Sequence, residues 1–128
     1  MRKIEIATSA SVFKDISELS SEDRMLMEKA ISSRKKAYAP YSKFSVGAAF
    51  LLENNHIVLG NNQESAAYPS GMCAERVGVW KVSSEFPGVK IKKLAISASS
   101  LTSKVDKPVG PCGACRQTLS EYEINQKQ

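Results

Sequence analysis

Long apolar runs are missing from this chain. No stretch approaches the roughly 20 residues needed to cross a bilayer. Arg2 and Lys3 open the sequence, but Glu5, Thr8 and Ser9 break up the apolar residues behind them. The first residues therefore lack the core of a secretory signal, and the expected location is the cytoplasm. Histidine is reduced to His56 and cysteine to three residues. An odd cysteine number with two members in one C-x-x-C makes a poor disulfide framework. There is no repeat and no acidic excess: 18 Lys and Arg face 13 Asp and Glu, for a formal charge of +5. The basic residues lie in short groups such as Arg34-Lys35-Lys36, which read as solvated faces and do not demand a nucleic-acid partner. With 128 residues, 42% of them hydrophobic, one domain with a real core is expected.

All three cysteines fall in two short segments, Met72-Cys73-Ala74-Glu75-Arg76 and Pro111-Cys112-Gly113-Ala114-Cys115-Arg116. A structural zinc site fills four positions with Cys or His, whereas a catalytic one uses three protein ligands and leaves the fourth to water. His56 follows Glu53-Asn54-Asn55, a polar hairpin turn, and is a poor fourth ligand. The count favours an open metal position at Cys73, Cys112 and Cys115. A C-x-x-C can instead be a redox pair, and a lone cysteine can be core filling. The conjunction of C-x-E with P-C-x-x-C favours the metal. Glu75, two residues beyond Cys73, is placed to move protons rather than to ligate. By itself it could equally be a helix-start charge.

Along the chain, Lys3-Ile4-Glu5-Ile6 alternates like a strand that pairs at an edge or with a partner subunit. Ser20 and Asp23 look like a helix start, and near-helical apolar spacing predicts a helix over 21–38, ended by Pro40. Residues 44–52 and 57–59 read as a hairpin, with Gly47 marking close approach by another backbone or a ligand. A loop over 61–71 leads to a helix over 73–84, stopped by Pro87-Gly88. A strand over 93–97, a loop over 99–110 and a helix over 112–122 follow. This order predicts a mixed sheet with helices on its faces, because strand-helix-strand crossovers favour parallel neighbours. Both cysteine segments then sit at helix starts, where partial positive charge and free N–H groups stabilise thiolates.

Four blocks in order, Pro40-Tyr41-Ser42-Lys43-Phe44-Ser45-Val46-Gly47-Ala48-Ala49, Asn62-Gln63-Glu64-Ser65-Ala66-Ala67-Tyr68, Cys73-Ala74-Glu75-Arg76 and Pro111-Cys112-Gly113-Ala114-Cys115-Arg116-Gln117, give the chain a specific likeness. It resembles the small, all-cysteine, cytidine deaminase type of zinc nucleoside deaminase. The resemblance implies a three-layer α/β/α domain with a mixed sheet and one Zn²⁺ per subunit. It also implies a homo-oligomer, commonly a tetramer whose sites borrow neighbouring residues, and hydrolysis of cytidine or deoxycytidine to the uridine product and ammonia in pyrimidine salvage. By resemblance, Asn62 and Glu64 hold the ribose hydroxyls, Phe44 lies against the pyrimidine, and the backbone of Ala66 and Ala74 meets the base edge. Three thiolates around Zn²⁺ leave a net −1, which Arg76 would offset by donating to ligand sulfurs. Arg116 competes for that duty, and the resemblance favours Arg76. The family usually continues into further strands, so residues 1–128 are expected to be one deaminase domain truncated at its C-terminus.

Each assignment has a plainer counterpart: Asn62 and Glu64 as turn caps, Phe44 as core. Rival functions are a deaminase acting on a base in RNA or DNA, one acting on an aminonucleoside antibiotic, and a zinc-stapled protein without catalysis. An amide and a carboxylate near the sugar suit a free nucleoside better than a phosphodiester chain.

Overall fold

Ser20 caps the first α-helix of the chain. Its hydroxyl accepts the Asp23 N–H at 3.1 Å and donates to the Asp23 carboxylate at 2.7 Å, which satisfies an orphan donor of the first turn. Helix α1, Ser21–Arg34, follows. The structure, a computed structural model, describes residues 1–126. α1 stops four residues short of the expected end because Tyr38 is taken into an isolated parallel bridge with Gln63. The Tyr38 N–H donates to the Asn62 carbonyl at 3.0 Å, and the Glu64 N–H donates to the Tyr38 carbonyl at 2.8 Å.

The hairpin forms as expected from β1, Phe44–Leu52, and β2, Ile57–Asn61, with Asn55 at φ 66 in the turn. Helix α2, Ala74–Glu85, precedes β3, Ile91–Ser100, and helix α3 covers Gly113–Gln126. The strand order is β2-β1-β3, and both pairings are antiparallel. Here the expectation of a mixed sheet with parallel neighbours is corrected. The crossover through α2 does join two strands of like direction, but β1 lies between them, so β2 and β3 never pair. Parallel pairing among the described residues is confined to the Tyr38–Gln63 bridge. The segment Lys3-Ile4-Glu5-Ile6 forms no strand in this chain and is exposed throughout. Among the described residues no strand lies beside it to take up its backbone hydrogen bonds.

Three layers result. On one face α1 closes Leu26 and Ala30 over Ala49, Leu51 and Ala95. On the other, α2 packs Ala74, Val79 and Val82 over Ala48, Phe50, Leu52 and Val58, with Leu119 and Tyr122 of α3 against the same cluster. A strand covered on both faces loses its polar alternation, and Gly47 to Leu52 are all buried. Fully burying side chains such as Phe50, Leu52 and Val79 contributes about 1.5–3 kcal/mol each.

Two glycines set how closely the helices approach. A Cβ on Gly47 would lie 2.1 Å from the Ala30 carbonyl oxygen, so the close approach is by the α1 backbone. A Cβ on Gly60 would lie 2.3 Å from the Ala74 carbonyl oxygen and 2.5 Å from the Gly78 nitrogen. The start of α2 is thereby seated directly on β2.

Candidate active site

Cys73 is the N-cap of α2. It has extended backbone angles, φ −71 and ψ 151, and its carbonyl accepts the Val77 N–H at 3.0 Å. Cys112 occupies the corresponding place before α3, its carbonyl accepting the Arg116 N–H at 2.9 Å. Because Cys115 lies one turn further on and points inward, it is fully buried, while Cys112 is exposed. The three Sγ atoms all lie within 4.8 Å of one another, and the Cys73–Cys112 separation is 3.9 Å. Three sulfurs bound tetrahedrally at about 2.3 Å from zinc would stand about 3.8 Å apart, so the observed corner fits the ion. The all-sulfur donor set suits zinc and excludes a magnesium or calcium preference. Among the described residues this is the one cluster of three or more potential ligands. His56 is not in it, and its ring packs 4.9 Å from that of Phe86.

Without a metal, the cluster divides its protons unevenly. Burial pushes the Cys115 thiol up to about 12, helped by its hydrogen bond to Cys112 and the nearby charge of Glu75. Cys112 is held below the usual thiol value, chiefly by the backbone N–H of Cys115 and then by the Cys115 thiol. Loading a metal must therefore release protons, which makes its uptake pH-dependent.

Arg76 reaches this corner from the first turn of α2. Its Nη2 donates to Cys73 Sγ at 3.6 Å, and its guanidinium lies 6.0 Å from the centre of the Trp80 ring. The hydrogen bond to Cys73 is the main cause that holds its pKa above the usual value. Its Nε is buried with no hydrogen-bond partner among the described residues. Arg116, the competing candidate, is exposed.

A cleft of about 420 Å³ opens beside the sulfurs, within the usual range for a small-molecule site. Its lining brings together Cys73, Cys112, Ala74, Glu75, Phe44, Asn62 and Glu64. Glu75 is only 6% exposed, a carboxylate held away from bulk water. Of the residues expected at the site, Arg76 lies outside this lining but donates to the Cys73 sulfur, and Ala66 stands apart from both, exposed on the loop before a short 3₁₀ turn at Tyr68–Ser70. A second depression of about 450 Å³ shares Ser42, Asn62, Glu64 and Cys73 and adds Tyr41, Tyr68 and Arg76. It touches neither Glu75 nor Cys112, so the first cleft is the one that meets the chemistry.

Asn62 and Glu64 already have protein partners. Asn62 Oδ1 accepts the Val46 N–H at 2.7 Å, and its Nδ2 donates to the Phe44 carbonyl at 2.9 Å. The amide thus continues the β1–β2 ladder past its end, and its Oδ1 can still accept one hydrogen bond while its Nδ2 can still donate one. Glu64 Oε2 accepts the N–H groups of Tyr41 at 2.9 Å and Ser42 at 3.3 Å, while Oε1 accepts the Ser42 hydroxyl. That hydroxyl is the main cause that holds the Glu64 carboxyl below its usual range. Ser42, Val109 and Gly110 also line the cleft and were not singled out by sequence. Ser42 lies inside the Pro40-to-Ala49 block, but Val109 and Gly110 carried no signal, being apolar or small residues in a loop.

The family model for the cytidine and deoxycytidylate deaminase zinc-binding region matches residues 20–127. A cytidine deaminase from Halalkalibacterium halodurans is 40% identical over 98 residues, covering 77% of this chain and 70% of its own length. One from Sporosarcina psychrophila is 44% identical over 98 residues, covering 76% and 67%. Among solved structures, the cytidine deaminase from Burkholderia pseudomallei superposes with a TM-score of 0.70 at 35% identity, over 81% of this chain and 77% of that one. The Mycobacterium tuberculosis enzyme gives 0.67 at 34%, over 80% and 79%. The chain belongs to the cytidine deaminase family.

Proposed function

We propose that this protein hydrolyses cytidine and deoxycytidine to uridine and deoxyuridine with release of ammonia, using one zinc ion held by Cys73, Cys112 and Cys115. The observation that carries this reading is a corner of three sulfurs, spaced for a tetrahedral ion, beside a buried carboxylate in one cleft. Bound there, zinc supplies Lewis acidity and brings the pKa of water toward neutrality.

The chain's own residues do the rest. Glu75 takes a proton from the attacking water, delivers it to N3 of the pyrimidine and then assists departure of the amino group as ammonia. Its burial removes competing solvent and strengthens each hydrogen bond it makes. Arg76 draws charge from the Cys73 sulfur and offsets the net −1 of three thiolates around a divalent ion. Phe44 offers an apolar surface to the ring, Ala74 a backbone edge, and Asn62 with Glu64 the hydrogen bonds that a ribose requires. The backbone of Ala66, exposed on the loop before the 3₁₀ turn, completes the base edge in this reading.

The decisive test follows absorbance in the cytidine band for the unmodified protein and for a Glu75→Gln variant shown to retain zinc. Equal rates would remove Glu75 from the mechanism, and no turnover by either would remove the function.

The same reading places the enzyme in the cytoplasm, in pyrimidine salvage, as a homo-oligomer, a tetramer or dimer. In its support, no helix among the described residues is long and apolar enough to cross a membrane. Tyr68 and Trp80 stand 74% and 43% exposed, the kind of surface that subunit contacts cover. Light scattering that returned the 14.0 kDa of a single chain would overturn the assembly.

A further inference from the structure

The turn before β1 contains a residue that ties the sugar side of the cleft to the base side. Ser42 lines both depressions. Its hydroxyl donates to Glu64 Oε1 and accepts the Phe44 N–H at 3.0 Å. Glu64 Oε2 is occupied by two backbone donors, the N–H groups of Tyr41 and Ser42. Oε1 has the Ser42 side chain as its donor and keeps a lone pair for an incoming hydroxyl. The turn itself is committed. Lys43 sits at φ 56, in the left-handed region that a β-carbon disfavours, and its carbonyl accepts the Leu101 N–H at 3.0 Å. A single hydroxyl therefore spans this strained residue and joins the carboxylate to the start of the strand that carries Phe44.

We infer that Ser42 is a positioning residue for nucleoside recognition: its hydroxyl, bridging Glu64 and the Phe44 N–H, fixes the carboxylate oxygen that accepts a sugar hydroxyl. This rests on the deaminase reading given above. Glu64 without that bridge keeps its Oε2 anchor but is free to rotate Oε1 away, so sugar binding weakens. A sugar contact made equally in the ground and transition states is lost in KM rather than kcat, and that is the split expected here. The proton chemistry belongs to Glu75, across the cleft.

Steady-state kinetics on the zinc-loaded full chain, with cytidine and with 2′,3′-dideoxycytidine, test this. Ser42→Ala raises KM for cytidine about tenfold, the size of one charge-assisted hydrogen bond, with kcat nearly unchanged. Dideoxycytidine, which lacks the ring hydroxyls, shows a change below about twofold on the same grounds. Ser42→Thr restores the preference for cytidine, and Ser42→Ala combined with Glu64→Gln is no worse than Glu64→Gln alone. If Ser42→Ala does not fold, Ser42→Cys, a weaker donor of similar size, carries the same comparison. Equal losses on both substrates, a loss confined to kcat, or additive effects in the double variant overturn the assignment. No turnover of cytidine by the unmodified protein would instead sink the deaminase reading itself. Turnover with unaltered discrimination in Ser42→Ala sinks only the role of Ser42.

Discussion

The two faces of the sheet use polar residues differently. Under α1 they satisfy one another. Ser33 donates to the Gly60 carbonyl at 2.7 Å, Arg34 to the Ser97 hydroxyl at 2.9 Å and the Ala98 carbonyl at 3.0 Å, and Lys93 pairs with Glu22 and Asp23. Under α2 and α3 they converge on one corner: three sulfurs gather there, a carboxylate is buried beside the same cleft, and Arg76 Nε is buried with no hydrogen-bond partner among the described residues. Buried polar groups that lack partners cost stability, about 1–3 kcal/mol each. A fold keeps them where chemistry needs a charge with no solvent around it. The face whose polar groups pair with one another reads as scaffold, and the face that gathers sulfur and carboxylate holds the candidate site.

Substitutions that separate these faces should separate stability from turnover. The largest effect falls on the reactive face: Glu75→Gln lowers kcat by about 10²- to 10⁴-fold, the usual contribution of a positioned acid or base. Its melting temperature and zinc content stay near those of the unmodified protein. A parallel fall in melting temperature would show the carboxylate to be structural. On the opposite face, Gly47→Ala places a methyl 2.1 Å from the Ala30 oxygen and 2.4 Å from the Arg34 nitrogen, and neither backbone atom can swing aside. It should destabilise by about 2–3 kcal/mol in urea titration, while the protein that remains folded binds zinc normally. Wild-type stability would show that α1 can slide on the sheet.

Arg76→Ala is the intermediate case, because it touches a sulfur but not the cleft that holds Glu75. Activity should fall about tenfold to a hundredfold, with metal content by atomic absorption reduced far less. Equal losses would mean that Arg76 holds the metal in place and does not adjust its charge.

How much of this was legible in the sequence depends on the range of the interaction. The cysteines, Glu75 and Arg76 were legible because short spacings near helix starts fix them: C-x-E places Cys73 at the cap of α2 and Glu75 in its first turn. The hairpin was legible from Asn54-Asn55 and the flanking apolar runs. The antiparallel placement of β3 was not, because the pairing of Phe44 with Ser100 joins residues far apart in the chain that carry no local mark of direction. The buried run from Gly47 to Leu52 already belonged to a central strand, yet periodicity alone does not say which strands flank it. The early end of α1 depended on the Tyr38–Gln63 bridge, again a distant partner. Asn62 and Glu64 were found as polar loop residues, but that both hold the approach to β1 depends on atoms of residues 41–46, which spacing does not report.

The smallest effect belongs to the satisfied face. Lys93 Nζ lies 2.6 Å from Asp23 Oδ1 and 2.7 Å from Glu22 Oε1, linking β3 to the first turn of α1. Hydrogen bonds from Lys93 are the main cause that holds both carboxyls below their usual range, and the bond to Asp23 is the main cause that raises Lys93. Depressed carboxyls contribute stability that is present above their unfolded pKa, about 4, and is lost as pH falls through their folded values. A raised lysine contributes stability that is full below its unfolded pKa, about 10.4, and is lost as pH climbs through the folded one. The stability difference between the unmodified protein and Lys93→Gln should therefore be flat across the neutral range and shrink at both ends. All three side chains are about 40% exposed, so solvent and salt screen the triad, and its effect on melting temperature should be slight and should fade at high ionic strength. Thermal melts from acid to alkaline pH at low and high salt measure this. A difference that survives high salt, or that grows in acid, would mean that the triad is sealed from solvent, and the scaffold face would then hold buried charge just as the reactive face does.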